Sequence, residues 1–217
     1  MNMKKNQNDR YYDYTRTEIL PLLPEKIDRV LEIGCATGNT LMWLKSLKEC
    51  KWVGGVELNY ETAQIAKNRV DACYVGDIES IDLPIASKSL DLILCLDVLE
   101  HLENPWQAVK RLHDFLKPDG VIISSIPNVL HYSVLCPLIF RGEFNYAEAG
   151  ILDKTHLRFF EKKSSLALME NSGLKVDAIQ ARVRGNDVIK IFVLKLLPYF
   201  IKKFIIYQYI IRARRIE

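Results

Sequence analysis

The residues able to do chemistry begin with Glu32, Gly34, Ala36 and Gly38, at alternate positions in Val30-Leu31-Glu32-Ile33-Gly34-Cys35-Ala36-Thr37-Gly38. Gly34 permits a tight turn, and the small Ala36 and Gly38 let a ligand lie against bare backbone. A dinucleotide fingerprint would read Gly-x-Gly-x-x-Gly, with a pyrophosphate at a helix N-terminus. Here the pattern is Glu-x-Gly-x-Ala-x-Gly, and an acid ahead of the first glycine suits a cation better than a phosphate. A second acid, Glu57, follows the bend by about 20 residues, the place in a doubly wound sheet that faces a ribose, where a carboxylate accepts both hydroxyl protons. Asp77, after Gly76, can accept from an exocyclic amine such as adenine's, although Gly-Asp is also common turn chemistry.

Proton chemistry falls to the histidines. His101, His131 and His156 lie in segments that follow strands at the ligand edge, while His113 sits within a helix. The run Asp153-Lys154-Thr155-His156-Leu157-Arg158-Phe159-Phe160 crowds Asp153, Thr155, His156 and Arg158 beside two aromatic rings. Its bland role is a helix-entry loop tied down by its own polar groups; its sharper role is contact with an acceptor. Histidine titrates in the range a general base needs, and such a base speeds proton removal from a hydroxyl by ~10²–10⁴. His156 is the first candidate and His101 the second. No His, Cys or carboxylate group shows metal-ligand spacing along the chain, so no metal is expected.

These groups need a scaffold that delivers them to one edge. Residues 30–33 form a short apolar strand, and 41–47 an amphipathic helix. Strands at 51–57, 72–75, 90–96 and 121–125 alternate with helices at 60–70 and from Asn104-Pro105 to about 116, where Asn caps and Pro starts the first turn. The nearly continuous apolar run at 90–96 suits a central parallel strand covered on both faces. Alternation of this kind means a parallel sheet with right-handed crossovers. Residues 17–23 read as a short helix ended by Pro24. Residues 129–140 are unusually apolar for a loop after a strand, and fit either a core helix or a lid over the acceptor site. A helix over 161–171 closes at Gly173, and strands at 174–181 and 207–213 finish the chain.

Taken in order, Leu-Glu-Ile-Gly-Cys-Ala-Thr-Gly, Gly-Val-Glu-Leu-Asn, Gly-Asp-Ile-Glu, Leu-Asp-Val-Leu-Glu-His-Leu and Leu-Lys-Pro-Asp-Gly resemble the motif series of the class I S-adenosylmethionine-dependent methyltransferases over residues 30–125. The resemblance implies an α/β, Rossmann-like doubly wound sheet of seven strands, the last antiparallel, with helices on both faces. It implies S-adenosylmethionine held by Glu32, Gly34, Cys35, Ala36 and Gly38, ribose on Glu57 beside Leu58, adenine near Asp77 and Ile78, and the methionine part near Leu96 and Asp97. Ala36 stands where many members have glycine. The Asp-x-Thr-His-x-Arg-Phe-Phe run resembles a segment of a branch associated with glycan and nucleotide-sugar pathways. It implies an acceptor site drawing on Asn128, His131, Tyr132, Asp153 and Arg158.

The expected activity is O-methylation of a small-molecule or carbohydrate-linked acceptor. N- or C-methylation of another metabolite, or a non-catalytic scaffold that binds the cofactor, are the alternatives. Nucleic acid is not an expected partner: an Asn-Pro-Pro-Tyr type motif after the fourth strand is replaced by Leu-Asp-Val-Leu-Glu-His. With 217 residues, 49% apolar and 26% charged, the chain has the composition of an ordinary globular domain. One domain over 1–217 is expected: a tail and helix (1–28), a cofactor core (29–125), an acceptor-site lid (126–160) and C-terminal helix and strands (161–217). The five cysteines have no Cys-x-x-Cys pair and read as reduced, buried thiols. Residues 1–10 read as a frayed polar tail rather than a leader, and Tyr11, Tyr12 and Tyr14 as packing residues or a cover over the ligand. These features fit a cytoplasmic protein. The net charge of +3 is uneven, with ten Lys/Arg against three Asp/Glu over 175–217. The apolar, lysine-studded stretch 188–206 therefore reads as a helix on the sheet or as a peripheral contact with an anionic membrane face.

Overall fold

A computed structural model describes residues 14–183 and 198–216. The tail at 1–10, Tyr11 and Tyr12, and the 188–197 part of the basic apolar stretch lie outside the described residues.

The strands are β1 (Arg29–Ile33), β2 (Trp52–Glu57), β3 (Ala72–Val75), β4 (Leu90–Leu96), β5 (Leu116–Pro127), β6 (Leu174–Arg182) and β7 (Gln208–Arg215). They form one sheet in the order β3-β2-β1-β4-β5-β7-β6. β1 to β5 pair parallel, and β7 runs antiparallel to both β5 and β6. The expected sheet and its reversed last strand are present. The chain steps outward from β1 to β3 and then returns to β4 on the other side of β1, so the switch point lies between the carboxyl ends of β1 and β4.

Strand periodicity decides the two faces. Ile93 and Cys95 of β4 pack with Ile33, Val56 and Ile122 under α3 (Pro105–Phe115) and α5 (Lys162–Glu170). Leu92 and Leu94 point the other way, with Val30, Val53 and Ile123, toward Leu41 and Leu44 of α1 (Asn39–Lys48). A central strand buried on both faces must be apolar throughout, which is why β4 lacks the alternation of an edge strand. α2 (Tyr60–Lys67) covers β2 and β3, and its cap is as the chain chemistry demands: Asn59 accepts from the Thr62 N–H. Asn104 caps α3 the same way, through the Gln107 N–H, with Pro105 in the first turn.

Glycines in β2 let the layers close. A Cβ on Gly55 would stand 2.3 Å from Cys35 Sγ and 2.7 Å from its Cβ. Gly55→Ala is therefore expected to destabilise the fold by about 1–3 kcal/mol through overpacking. Urea denaturation checks this, and a midpoint equal to that of the parent chain would contradict it.

Several local expectations change. The short helix expected at 17–23 is present as a 3₁₀ helix, Thr17–Leu22, which contains Pro21 and is capped at Leu23 just before Pro24; a proline without an N–H tolerates the tighter turn. Lys117-Pro118-Asp119-Gly120 does not end before β5 but lies inside it, as an irregular pairing against Leu90. Among the 129–140 residues, α4 (Tyr132–Arg141) is no core helix. Only Val134 is buried on it, while Ile139 is 68% and Phe140 81% exposed. All five cysteines are free as expected, but Cys136 on α4 is exposed. Among the described residues no helix is long and apolar enough to cross a membrane.

Candidate active site

The β1–α1 bend is held from β2. The Gly34 and Cys35 N–H groups both donate to Val56 O, at 2.8 and 3.1 Å. Glu57, at the end of β2, accepts from the Ala36 N–H through Oε2 and from the Asn59 N–H through Oε1, each at 2.9 Å. Positive φ at Gly34 (67°), Ala36 (48°) and Gly38 (82°) bends the chain three times in five residues. Ala36 is the strained member, since an L-residue in this region is unfavourable by ~1–2 kcal/mol; its N–H bond to Glu57 compensates.

A cleft of about 190 Å³ opens at this edge, walled by Gly34, Glu57, Asp77, Ile78, Asp97 and His101. Leu58 forms its rim and is 71% exposed. Glu32, Cys35, Ala36, Gly38 and Leu96 shape the wall from behind and do not line the cleft. A Cβ on Gly34 would meet Val98 Cγ2 at 2.8 Å, so bare backbone is obligatory there. Among the described residues the lining contains four carboxylates, Glu57, Asp77, Glu79 and Asp97, and no Lys or Arg. A phosphate would be repelled here, whereas a cationic nucleoside with ribose hydroxyls and an exocyclic amine finds acceptors. The donor set fits S-adenosylmethionine.

Glu32 lies buried beneath the bend, and burial raises its pKa to about 8, with the nearby Arg16 charge and the Thr40 hydrogen bond opposing. The folded state thus keeps a proton that the unfolded chain, with a carboxyl near 4.5, releases. Glu32's contribution to stability is fully present below pH 4.5, falls as pH rises, and is gone above about 8. Glu32→Gln is expected to flatten this decline in chemical denaturation between those limits; an unchanged pH slope would refute the assignment.

Asp97 is less available than its place in the motif suggests. It has a φ of 58°, and Oδ2 accepts from Arg16 Nη1 at 2.6 Å. Oδ1 accepts from Ser125 Oγ at 2.9 Å and also from Gln208 Nε2. Arg16 further donates to Glu18 at 2.6 Å and to Ser125 Oγ at 3.1 Å. Although burial alone would lower it, the Asp97 and Glu18 carboxylates raise the Arg16 pKa above its ordinary value. Sequence reading missed Arg16 because nothing local marks it. Glu79 was missed as well: it accepts from the Glu103 and Asn104 N–H groups at 2.8 and 2.6 Å, bracing the start of α3.

On the acceptor side, the Leu157 and Arg158 N–H groups both donate to Glu100 O, at 2.9 and 3.0 Å. This stitch lays His156 against His101, ring centroids 4.6 Å apart and edge to face. His101 Nδ1 lies 3.2 Å from Thr155 O and 3.1 Å from Thr155 Oγ1, and His156 Nδ1 lies 2.9 Å from Ile151 O. A carbonyl only accepts, so Nδ1 donates in each ring; in the neutral form of His101 the Nε2 lone pair is then free. Burial and then the neighbouring His156 lower the His101 pKa, keeping the imidazole neutral. Asp153 accepts from the Thr155 N–H and hydroxyl, at 2.8 and 2.6 Å. Although burial raises it, those Thr155 bonds bring its pKa below the ordinary carboxylate value.

The other expected acceptor residues serve their own backbone. Asn128 is fully buried and donates to Lys203 O and Ile206 O, both at 2.7 Å, while its Oδ1 accepts from Leu130 N–H. His131 is 2% exposed, caps α4 through the Ser133 N–H and stacks against Tyr132 and Tyr207. Arg158 donates to the Leu157 and Glu103 carbonyls. Of this set Asn128 and His131 are buried, Tyr132 is half exposed, and Asp153 and Arg158 are partly exposed. The expectation that no metal-ligand cluster exists also changes, because Glu100, His101 and His156 converge with one potential ligand atom each within 4.8 Å of the others. Their sequence separation hid this.

A parallel sheet with a reversed seventh strand, a glycine bend at the switch point and an acid-lined cleft define the Rossmann-like S-adenosylmethionine-dependent methyltransferase class. A family profile described as a methyltransferase domain matches residues 5–179, and the chain belongs to that family. An uncharacterized methyltransferase of Oceanobacillus iheyensis is 28% identical over 122 residues, 55% of this chain and 56% of the relative. A ubiquinone biosynthesis O-methyltransferase of Salmonella paratyphi A is 27% identical over 105 residues, 46% of this chain and 43% of the relative. The chain spans about half the length of the curated relatives it matches. Among solved structures, a S-adenosylmethionine-dependent methyltransferase from Archaeoglobus fulgidus superposes with a TM-score of 0.66 at 18% identity, covering 97% of this chain and 96% of that one.

Proposed function

We propose that the chain methylates a hydroxyl of a small-molecule or carbohydrate-linked acceptor. When bound, S-adenosylmethionine supplies a methyl group on a sulfonium leaving group. The protein's task is then to hold donor and acceptor in line, and alignment alone can contribute ~7–11 kcal/mol. Glu57 and Asp77 offer acceptors for the nucleoside, and Gly34 keeps the wall bare. The observation that carries the reading is His101: it lines the same cleft as those residues, with Nε2 unprotonated. A hydroxyl must lose its proton to become a nucleophile, and a neutral imidazole nitrogen at the cleft wall suits that need. His156 stands behind His101, so His101 takes the leading role among the two candidates. Phe144, Tyr146 and Phe159 cluster beside His156, with Phe144–Phe159 centroids 5.8 Å apart and His156–Phe159 at 6.3 Å. Such faces suit a sugar or phenol ring.

The test is transfer of a radiolabelled methyl group to panels of phenols, sugars and nucleotide-sugars. Label in an alkali-stable ether is the expected result. His101→Ala should lower kcat by ~10²–10⁴ while affinity for S-adenosylhomocysteine stays unchanged. Label recovered on nitrogen or carbon would overturn the hydroxyl assignment. Tight cofactor binding with no labelled product from any extract would make the chain a scaffold.

A further inference from the structure

We propose that Glu100, His101 and His156 form a binding site for a borderline divalent transition-metal ion, open toward the cleft. The proposal goes beyond methyl transfer: with an ion bound, His101 Nε2 is a ligand rather than the base, and proton loss from a hydroxyl is then helped by the ion.

Three observations carry it. First, the potential ligand atoms of the three side chains lie within 4.8 Å of one another. Ligands around one Zn²⁺ at ~2.0–2.1 Å in tetrahedral geometry stand about 3.4 Å apart, so side-chain movements of about 1 Å would close the site. Second, Glu100 is 1% exposed and both carboxylate oxygens lack any hydrogen-bond partner. A buried, unpartnered carboxyl group is unfavourable, and such a group calls for an explanation that a cation supplies. Nothing about holding the 157–158 segment requires this side chain, because that stitch uses the Glu100 backbone carbonyl.

Third, both imidazoles donate from Nδ1, which leaves Nε2 as the ligand atom. Metal-binding histidines almost always donate their other N–H to a carbonyl or carboxylate, which fixes ring orientation and raises ligand basicity. His101 and His156 do this through Thr155 O and Ile151 O. Asp153 in turn holds Thr155 through its N–H and hydroxyl, supplying a further layer of support. Two imidazoles and one carboxylate suit Zn²⁺, Fe²⁺, Mn²⁺ or Co²⁺ better than Mg²⁺ or Ca²⁺. Three protein ligands leave coordination positions open, as catalytic sites do. Because His101 lines the cleft, an open position there can take an oxygen of a bound molecule and make it more acidic.

The experiment uses the full chain stripped with chelator, with no methyl acceptor present. Co²⁺ is titrated while its visible d–d absorption is read, and Zn²⁺ competition and calorimetry give affinity and stoichiometry. The expected result is one ion per chain and a tetra- or pentacoordinate Co²⁺ spectrum that Zn²⁺ abolishes. Glu100→Gln, nearly isosteric, and His101→Ala should each weaken binding by at least about tenfold, with circular dichroism and the urea midpoint as the measure that each variant is folded. His113→Ala, at the far end of α3, should leave binding unchanged. Absence of saturable binding, or binding equal in the parent chain and both ligand variants, would overturn the proposal. If Glu100→Gln does not fold, His101→Ala decides alone. Metal binding is read from Co²⁺ absorption with no acceptor present and methyl transfer from labelled ether, so the two readings fail separately.

Discussion

Glu57→Ala is expected to weaken S-adenosylhomocysteine binding by at least about 100-fold. Two effects act together. The carboxylate pins the bend through the Ala36 N–H and the start of α2 through the Asn59 N–H, both at 2.9 Å. Hydrogen bonds to a charged acceptor contribute ~1.5–3 kcal/mol each, and Ala36 relies on one of them to stay at a φ of 48°. The residue also lines the cleft, and a carboxylate bonded to two N–H groups has lone pairs left for ribose hydroxyls. Loss of about 2.7 kcal/mol of binding free energy already corresponds to 100-fold. Calorimetry with S-adenosylhomocysteine checks the affinity. Glu57→Gln, which keeps one acceptor oxygen, should fall between the parent and alanine. Full affinity in Glu57→Ala would reduce the residue to a clamp with no part in the ligand site.

The second large effect concerns stability. Arg16→Met is expected to lower unfolding free energy by about 3 kcal/mol, because removing one partner of a buried ion pair leaves the other without compensation. Side chains of Arg16 and Glu18 are only 13% and 11% exposed. Glu18 retains Arg182 at 2.8 Å, and Asp97 retains Ser125 and Gln208, which keeps the loss from being larger. Urea denaturation should show a lower midpoint at constant slope, the mark of a change in stability rather than compactness. Adding Asp97→Asn to Arg16→Met should cost less than the sum of the single changes, because the pair interacts directly at 2.6 Å. Additive losses would mean that Arg16 acts only through packing. The same measurements test whether the segment beginning at Arg16 is an integral part of the ligand edge, since it ties β4, β5 and the 3₁₀ turn together.

The sheet was legible in the chain because its signals are local. An apolar run such as Leu90–Leu96, a glycine bend after an apolar strand, or Asn-Pro ahead of an amphipathic helix depends on residues within a few positions. Alternation and crossover handedness make the sheet parallel, which puts Glu57, Asp77 and His101 at its carboxyl edge, while the seven strands and the reversed last one came from the resemblance. Local signals also account for the failures. Residues 129–140 are apolar, but apolarity alone does not say whether a helix is covered, and α4 is mostly bare. Asn128, His131 and Arg158 are polar groups near the site, yet each finds carbonyls or amides of its own surroundings first.

By itself, then, the sequence determined which segments are strands and helices and which side chains the carboxyl edge receives, since hydrophobic period and turn chemistry act over a few residues. Only the tertiary structure decided which of those side chains meet. Arg16 finds Asp97 across 81 positions, and His101 finds His156 because the Glu100 carbonyl captures the 157–158 backbone. Such pairings depend on how distant segments close over one another, and spacing along the chain carries no record of that closure.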